Sequence, residues 1–384
     1  MTADWIPAKT GDALLDIDTP ALVLDLDRFE RNLSRLMGVA KAAGVRVRPH
    51  AKSHKCVEIA QRQVAAGAVG VCCQKLSEAA VFLDGGIADV LITNEVVGPA
   101  KIARLAQLAA RHPGKRLGVC VDNVGVARQL SQAVAAAKAV LDVYIDIDVG
   151  QDRTGVNDPA HAAHLANTIV SGGPQLRVMG MHAYAGSAQH RRTPGERRAA
   201  IASAAALVGE MRTAFMAAGL PCEIITGGGT GTWVYEMESR LYNEIQPGSF
   251  VLMDADYARN EPDPKTPRFE QALFILSTVM SVRDNGHRPT PRIVRATLDA
   301  GLKAFSTDSG PAQPSFPGWE VRGVSDEHSV MLRTEDGPDV EIGAKALLIP
   351  GHCDPTVNLH DWIVAVRKNR VEGVWRVDAR GAVF

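Results

Sequence analysis

The chain has 384 residues, of which 46% are apolar, so it can bury a sizeable core and is long enough for one large domain with a smaller partner. Lysine and arginine number 42 against 43 aspartate and glutamate, which gives a formal net charge of -1. This balance gives no bulk electrostatic reason to expect nucleic acid or an anionic membrane as a partner, and it favours a small molecule that is recognised locally.

Residues 1–11 contain an acid at Asp4 and no positively charged stretch followed by an apolar one, so they do not predict a signal peptide. The longest apolar stretch, residues 64–73, is about half the length that a membrane span needs. The six cysteines include no CxxC pair and are too sparse for a secreted disulfide scaffold. We therefore expect reduced thiols and a cytoplasmic location.

From residue 45 onward, short runs rich in β-branched residues alternate with alanine-rich stretches, a pattern typical of parallel βα units. The segments between the runs carry apolar residues at helical spacing. Eight strands, most followed by a helix, predict a (β/α)8 barrel of the TIM type, with a doubly wound sheet as the alternative because a count of strands does not show closure. The predicted strands are residues 45–50, 69–74, 90–94, 117–122, 141–148, 177–183, 222–226 and 243–246, and the predicted helices include 54–66, 99–111, 124–137, 160–170 and 196–218.

After about residue 256 prolines and glycines cluster, and short β-like runs follow. These runs predict a second, C-terminal antiparallel β-rich domain. We place the barrel at residues 27–255 and the β-rich domain at 1–26 plus 256–384, although segment 21–26 could pair with either. The clusters are residues 262–267, 289–291 and 311–317, and the runs are 274–282, 293–298, 329–332, 346–349, 362–367 and 371–377.

Lys52 comes just after the first predicted strand, within residues 48–55 (Arg-Pro-His-Ala-Lys-Ser-His-Lys). Catalytic groups of such barrels lie at the carboxyl ends of the strands. A lysine that is desolvated there and crowded by the cations Arg48 and Lys55 would lose its proton more easily than a surface lysine. Schiff-base formation requires that loss, so we predict this role for Lys52 against the alternative of an ordinary loop lysine.

A glycine-rich run, Thr-Gly-Gly-Gly-Thr-Gly-Thr, follows the seventh predicted strand at residues 226–232. Glycine lets backbone N–H groups converge on an anion, and the hydroxyls of Thr226 and Thr230 add donors. Loops after strands seven and eight are the usual phosphate site of these barrels, so we predict a phosphate cradle rather than a flexible turn. The spacing matches neither G-x-G-x-x-G nor the P-loop, so no dinucleotide or nucleoside triphosphate is implied.

Three side chains after the fifth and sixth predicted strands could reach the same barrel face. Arg153 could hydrogen-bond an anionic ring oxygen, and Tyr184 could pack against an aromatic ring or bond to it. His190 could serve as a general base near neutral pH. Singly, each is more often structural, with Arg153 in an ion pair and His190 solvated in a loop, but their joint placement favours a site.

His352 and Asp354 lie within residues 350–358. In an extended segment the two side chains would point to the same side and share one cation, with Cys353 facing away. A mixed nitrogen and oxygen pair suits Mn²⁺, Mg²⁺ or Zn²⁺. Because water or substrate would have to complete the shell, the pair indicates a catalytic metal rather than a structural one.

Together these motifs resemble the fold-type III pyridoxal-phosphate enzymes of the D-threonine aldolase and D-serine dehydratase group. The resemblance runs from residue 18 to residue 361 and rests on several motifs in one order. It implies an alanine racemase-like barrel with a β-domain at its mouth, and a dimer with sites near the interface. The most specific segments are residues 48–55, 73–75, 93–95, 148–155, 182–190, 226–231 and 352–354.

The resemblance also implies a role for each candidate residue. Lys52 would bind the aldehyde of pyridoxal 5'-phosphate as a Schiff base, and His190 would act as the base near the substrate's β-hydroxyl. His352 and Asp354 would bind Mn²⁺ or Mg²⁺, with Zn²⁺ as the alternative, and Asp326 would reach the substrate or a metal-bound water. Cofactor contacts would come from Gln74, Arg153, Tyr184, Thr226, Gly228 and Gly229.

The metal pair separates the two branches of this group: the dehydratases resemble H-x-C with zinc, and the aldolases resemble H-x-D with manganese or magnesium. Asp354 therefore favours metal-dependent retro-aldol cleavage of D-β-hydroxy-α-amino acids, such as D-threonine, to glycine and an aldehyde. The alternatives are a D-serine or 3-hydroxy-D-aspartate dehydratase that releases a 2-oxo acid and ammonia, a non-catalytic pyridoxal-phosphate-binding protein, and a metal-dependent barrel hydrolase.

Overall fold

A computed structural model of the chain describes residues 5–284, 294–334 and 337–384. The first strand, β1 (Ala21–Asp25), leads directly into the first helix, α1 (Leu26–Ala42). The carboxylate of Asp25 accepts a hydrogen bond from the backbone N–H of Arg28, which satisfies a free donor in the first turn and fixes where the helix begins.

Eight parallel strands of the described residues form the barrel, in the order β2-β9-β8-β7-β6-β5-β4-β3. The ring closes where β2 passes β3, because the N–H of Val69 donates to the carbonyl of Val47 at 3.0 Å and that of Cys72 to Pro49 at 2.8 Å. The predicted barrel is therefore confirmed, and the doubly wound alternative is wrong. The strands are β2 (Arg46–Val47), β3 (Val71–Cys73), β4 (Asp89–Glu95), β5 (Arg116–Val121), β6 (Leu141–Asp146), β7 (Leu176–His182), β8 (Ile224–Gly227) and β9 (Glu244–Ile245).

Helices between these strands cover the outside of the barrel. Each of the longer ones buries an apolar stripe, such as Ile102, Leu105 and Leu108 in the fourth helix. The five predicted helices are confirmed, with shifts at their ends, and the helix after β3 was missed. The helices are α2 (Val57–Ala65), α3 (Leu76–Asp84), α4 (Pro99–Arg111), α5 (Val124–Ala136), α6 (Pro159–Ser171), α7 (Pro194–Ala217), α8 (Trp233–Glu238) and α9 (Ala255–Ala258).

By length and composition alone, α7 could cross a membrane, and it is the one such helix in the described parts of the chain. Its buried side chains, which include Ile201, Val208 and Phe215, belong to the apolar interior of the protein, and it contacts α6 and α8. A core helix passes the same test of length and composition, so this property is weak support for a membrane span.

The remaining strands form the predicted antiparallel β-rich unit, which β1 joins. Its main path runs β13-β14-β11-β10-β1-β16-β17, with β15 beside β10 and β12, and the pair β1–β16 is parallel. The sequence analysis missed β12 and β13, while Ile293 and residues 289–291 lie outside the described residues. The elements are β10 (Leu273–Asp284), β11 (Val294–Leu298), β12 (Gln313–Pro314), β13 (Trp319–Val324), β14 (Ser329–Arg333), β15 (Lys345–Ile349), α10 (Cys353–Val357), β16 (Trp362–Arg367) and β17 (Arg370–Arg376).

One fully buried polar side chain ties α1 to the segment that enters β10. The amide nitrogen of Asn32 donates to the carbonyl oxygen of Glu270 at 2.7 Å, and the N–H of Glu270 donates to the amide oxygen of Asn32 at 2.7 Å. Both backbone groups of Glu270 are thereby satisfied by a single side chain.

All six cysteines of the chain are free, and each lies in a described segment. Five of them are buried, and Cys222 is partly exposed. Cys222 precedes β8, so it lies at the amino end of the barrel strands, opposite the end where the candidate site lies. Burial raises the pKa of the Cys56 thiol to about 12 and also raises the pKa of Cys222.

Candidate active site

A cavity of about 290 Å³ lies at the carboxyl ends of the barrel strands. Its wall combines barrel loops with Asp354, which comes from the segment after β15. The cavity is about the size of a small-molecule site. The predicted residues that line it are Lys52, Gln74, Arg153, Tyr184, Gly229 and Asp354.

Lys52 lies in a single helical turn, Ala51–Ser53, just after β2. Its ammonium donates to a carboxylate oxygen of Asp354, and its side chain is 40% exposed to the cavity although protein atoms surround it. Burial lowers the pKa of Lys52, but the Asp354 carboxylate outweighs burial and leaves the pKa above its ordinary value. The same pair lowers the pKa of Asp354 despite burial, which opposes ionisation.

The expected crowding of Lys52 by two cations is wrong. Arg48 lies inside the barrel, where its guanidinium donates to Asp89 at 2.6 Å and to Glu244 at 3.0 Å. Lys55 forms an ion pair with Glu78, with 3.0 Å between its nitrogen and a carboxylate oxygen. Since carboxylates neutralise both cations, neither explains how Lys52 would lose its proton.

The glycine-rich run forms a tight turn in which residues with a side chain could not replace the glycines without strain. Gly228 has a φ of +77°, and a Cβ added at Gly229 would lie 2.4 Å from the side-chain oxygen of Gln189. The N–H of Gly231 donates to that same oxygen at 3.0 Å. The turn is therefore fixed against its surroundings, which argues for a built cradle and against a flexible loop.

Only part of the predicted phosphate set lines the cavity. Gly229 and Thr230 do, and the hydroxyl of Thr230 accepts a hydrogen bond from the N–H of Phe250 at 3.0 Å. Thr226 is fully buried beside the cavity, where its hydroxyl accepts a hydrogen bond from Gln246 at 2.7 Å. Neither Thr226 nor Gly228 belongs to the cavity wall in the described residues.

Gln74 joins two polar side chains that the sequence analysis did not assign. Its amide donates to the hydroxyl of Thr93 at 3.1 Å and lies 3.1 Å from a ring nitrogen of His50. Burial lowers the pKa of His50 well below its ordinary value, and the positive charge of Lys52 adds to this effect. A neutral His50 therefore lies beside the lysine.

The floor of the cavity carries a buried histidine and carboxylate pair. The Nδ1 atom of His182 lies 2.6 Å from a carboxylate oxygen of Asp146, whose other oxygen accepts from the hydroxyl of Thr154 at 2.9 Å. Cys120 brings its sulfur within 4.8 Å of both ligand atoms, a spacing that could hold a metal ion. Burial and the charge of Asp146 raise the pKa of Glu95 next to this pair. The sequence patterns near each strand end contain these residues but do not show that they meet.

Arg153 and Tyr184 both line the cavity, as their predicted roles require. Tyr184 is partly buried, and burial raises the pKa of its hydroxyl although the charge of Lys52 opposes that effect. Arg153 lies close enough for its charge to act on Tyr184 in the same direction as Lys52.

His190 lies outside the cavity wall, in the loop before α7. Its Nδ1 atom is 2.8 Å from a carboxylate oxygen of Asp256, and its ring centre is 4.7 Å from that of Tyr257, which lines the cavity. Burial lowers the pKa of His190, although Asp256 acts in the opposite direction. His190 is therefore held at the rim of the site by a carboxylate and an aromatic ring.

The extended geometry expected for residues 352–354 is wrong, because α10 begins at Cys353. His352 is extended, and its Nδ1 atom lies 2.7 Å from Asp308, while Asp354 is helical and turns toward Lys52. Cys353 does not face away: its sulfur lies 3.3 Å from a carboxylate oxygen of Asp354. Of the two proposed metal ligands, Asp354 therefore lines the cavity and His352 does not, and a helix start, not strand alternation, determines where each side chain points.

Asp326 is not brought to the cavity of its own chain, as far as the described residues extend. It lies exposed between β13 and β14, where its backbone carbonyl accepts from the N–H of Lys303 at 3.0 Å. The carboxylate of this unit that does reach a proposed metal ligand is Asp308. An aspartate that lies 44 residues before its partner carries no local sequence signal.

Comparison with known proteins identifies the family. The alanine racemase N-terminal domain matches residues 24–256, and a putative serine dehydratase domain matches residues 272–366. A D-threonine aldolase from Arthrobacter sp. is 46% identical over 98% of this chain and 96% of its own length. A 3-hydroxy-D-aspartate aldolase from Paracoccus denitrificans is 44% identical over 98% and 95% of the two chains.

A solved structure agrees with these sequence matches. The crystal structure of D-threonine aldolase from Filomicrobium marinum matches with a TM-score of 0.93 and 46% identity, over 99% of this chain and 100% of that one. Fold and sequence thus point the same way. The chain belongs to the D-threonine aldolase and D-serine dehydratase group of fold-type III pyridoxal-phosphate enzymes.

Proposed function

We propose that the chain cleaves D-β-hydroxy-α-amino acids, such as D-threonine, to glycine and an aldehyde by a retro-aldol reaction. The observation that carries this proposal is the meeting of Lys52 and Asp354 in one cavity beside the glycine turn. An amine that can bind a carbonyl compound and a carboxylate that can bind a cation are there within reach of one small substrate.

The residues present fit pyridoxal 5'-phosphate. Lys52 extends into the cavity, and Gly229, which has no side chain, presents backbone to it. We propose that Lys52 binds the aldehyde, that Arg153 lies at the ring and that the glycine turn holds the phosphate. The bound cofactor would supply an electron-withdrawing ring for the electron pair left on Cα when the Cα–Cβ bond breaks. The full proposed set is Lys52, Gln74, Arg153, Tyr184, Thr226, Gly228 and Gly229.

The residues also fit a divalent cation at the entrance of the cavity. Asp308 occupies the Nδ1 atom of His352, which leaves Nε2 as the ligand atom, as is usual for metal-binding histidines with a carboxylate partner. We propose that His352 and Asp354 hold Mn²⁺ or Mg²⁺, with Zn²⁺ as the alternative. Such an ion would lower the pKa of a substrate hydroxyl.

His190 is the proposed base for the β-hydroxyl proton. Its lowered pKa keeps the imidazole neutral, and so able to accept a proton, near pH 7. Tyr257 beside His190 would help to exclude water. We also propose that Asp326 contacts the substrate or a metal-bound water, although it lies outside the cavity of its own chain.

The alternative function is a dehydratase that releases a 2-oxo acid and ammonia, which the match of residues 272–366 to a putative serine dehydratase domain favours. Incubation with D-threonine separates the two reactions. The aldolase yields glycine and acetaldehyde, whereas the dehydratase yields 2-oxobutyrate and ammonia. If 2-oxobutyrate were the sole product, the aldolase proposal would be overturned.

We further propose a cytoplasmic homodimer that acts on a small D-β-hydroxy amino acid. The proposed domain boundaries are 27–255 for the barrel and 1–26 plus 256–384 for the β-rich domain. Membership of β1 in the antiparallel sheet supports the assignment of the N-terminal segment to the second domain.

A further inference from the structure

We propose that Asp256, held by Arg192 and Arg259, is a positioning residue that fixes which nitrogen of His190 carries the proton. The inference rests on the proposed function, in which His190 accepts the proton of the substrate's β-hydroxyl. It assigns a role to a carboxylate and two guanidinium groups that the sequence analysis did not single out.

The two oxygens of Asp256 have separate partners. Oδ2 lies 2.8 Å from the Nδ1 atom of His190. Oδ1 accepts from the guanidinium of Arg192 at 2.6 Å and also from Arg259. Arg192 is itself fixed, because it donates to the backbone carbonyl of Asp256 and to the side chain of Asn260, each at 2.8 Å.

This division of partners determines which nitrogen of the His190 ring carries the hydrogen. Since both guanidinium groups occupy Oδ1, the oxygen that faces His190 is Oδ2, which can only accept. The Nδ1 atom of His190 must then carry a hydrogen, and in the neutral ring Nε2 is left as the acceptor. The same logic gives the aspartate of a serine-protease triad its role: it holds the histidine in the productive tautomer.

The surroundings of His190 support a stable pair. The side chain of Asp256 is only 10% exposed, and the ring of His190 packs against Tyr257 with 4.7 Å between ring centres. The charged groups that act on His190 are Asp256 and Asp254, which raise its pKa, and Arg192 and His352, which lower it together with burial. The ring of His190 is itself 42% exposed, so its orientation depends on the contact with the arginine-held Asp256 and on packing against Tyr257.

The test is the variant Asp256→Asn, because the two arginines determine how the new amide group is oriented. Both guanidinium groups need an acceptor at the Oδ1 position, so the amide oxygen must lie there and the amide NH₂ must face His190. Nδ1 would then accept, and the hydrogen would move to Nε2, which removes the base without moving the ring. We expect kcat for D-threonine cleavage to fall by roughly 10²–10⁴-fold, with KM within about twofold.

Three further measurements separate positioning from folding. The double variant His190→Ala with Asp256→Asn should be no slower than His190→Ala alone, because the pair acts as a unit. The control Asp263→Asn removes an aspartate bonded to Arg198 and should keep kcat within about twofold. The absorbance of the bound cofactor should be the same in Asp256→Asn as in the wild type.

Nitrogen NMR of His190 tests the inference without any assay of activity. The wild-type holoenzyme should show a protonated Nδ1 and an unprotonated Nε2 at neutral pH, and Asp256→Asn should show the reverse. A wild-type protein protonated at Nε2, a variant with full kcat, or additive losses in the double variant would each overturn the proposal. If D-threonine gave no glycine, the proposed function would fail, while the nitrogen signals would still decide the role of Asp256.

Discussion

Three basic groups at the candidate site are each paired with a carboxylate from a different part of the chain. Lys52 pairs with Asp354, His190 with Asp256, and His182 with Asp146. These contacts restrict the side chains to one geometry. The sequence patterns identified most of the bases but few of their carboxylate partners, because a partner that is distant in sequence leaves no local pattern.

Replacement of Lys52 by alanine tests the proposed cofactor linkage. Since Lys52 extends into the cavity, Lys52→Ala should abolish the visible absorbance of the lysine-bound cofactor and reduce cleavage to background. Lys101→Ala, at an exposed position of α4, should leave both unchanged. The measurement is an absorbance spectrum of the purified holoenzyme, and a band that persisted in Lys52→Ala would refute the assignment.

Glu236 predicts a pH dependence of stability. It is fully buried below Gly228, one oxygen accepts from Thr232 at 2.7 Å, and the other has no partner in the described residues. Burial raises the pKa of Glu236 to about 7 from the ordinary value of 4.5, so the folded protein binds this proton more tightly than the unfolded chain does. Stability contributed by this group therefore falls as the pH rises from about 4.5 to beyond 7, by up to about 3 kcal/mol.

Glu236→Gln should remove that dependence, because the amide keeps the bond from Thr232 and carries no titratable proton. Urea unfolding of the holoenzyme at pH 5.5 and pH 8.5 would measure the effect. We expect the wild type to lose more stability than the variant over this interval. Equal losses in the two proteins would show that Glu236 does not titrate as its burial indicates.

At the scale of elements, the parallel barrel strands were predictable from the sequence, whereas β12, β13 and the helical turn α10 were not. The predicted barrel strands are confirmed, and most of them contain a buried apolar run that lies between helical segments. β12 is only Gln313–Pro314 and is held by β15, so no periodicity could reveal it. Residues 352–354 were taken as extended because the single helical turn that begins at Cys353 is too short to show a helical repeat.

The contact between α1 and the segment before β10 depends on one side chain. Asn32→Ala would leave the N–H and carbonyl of Glu270 without their partner in a buried setting. We expect a loss of about 2–3 kcal/mol in the free energy of unfolding. Chemical denaturation would measure it, with Asn167→Ala at an exposed position of α6 as the control, expected to change stability by less than about 0.5 kcal/mol. An equal effect of both changes would contradict this account.

At the scale of the whole molecule, the site exists only where the two units meet. Lys52 and the glycine turn belong to the barrel, while Asp354 and His352 follow β15 of the antiparallel sheet. Sequence reasoning placed each motif at the end of a barrel strand or in the second unit. The resemblance implied a β-domain at the barrel mouth, but the contacts that hold it there, namely the pairing of β1 with β10 and β16 and the packing of α1, could not be predicted from sequence.

Removal of divalent metal tests this shared site. Treatment of the holoenzyme with a chelator should abolish D-threonine cleavage, and added Mn²⁺ or Mg²⁺ should restore it. Without an ion bound to His352 and Asp354, the substrate hydroxyl would keep its ordinary pKa. Cofactor absorbance should survive the treatment, since the proposed metal ligands and the proposed cofactor set are different residues. Full turnover in the presence of chelator would rule out the metal role.

The distribution of thiols described above has a practical consequence for single-molecule and spin-label work. Because five cysteines are enclosed and Cys222 alone is partly open, a maleimide or nitroxide reagent should attach once per folded chain, at a pH high enough to ionise a thiol whose pKa burial raises. The probe would sit at the base of the barrel, remote from the substrate entrance, so the wild-type sequence already carries a reporter position for distance measurements that leaves turnover undisturbed.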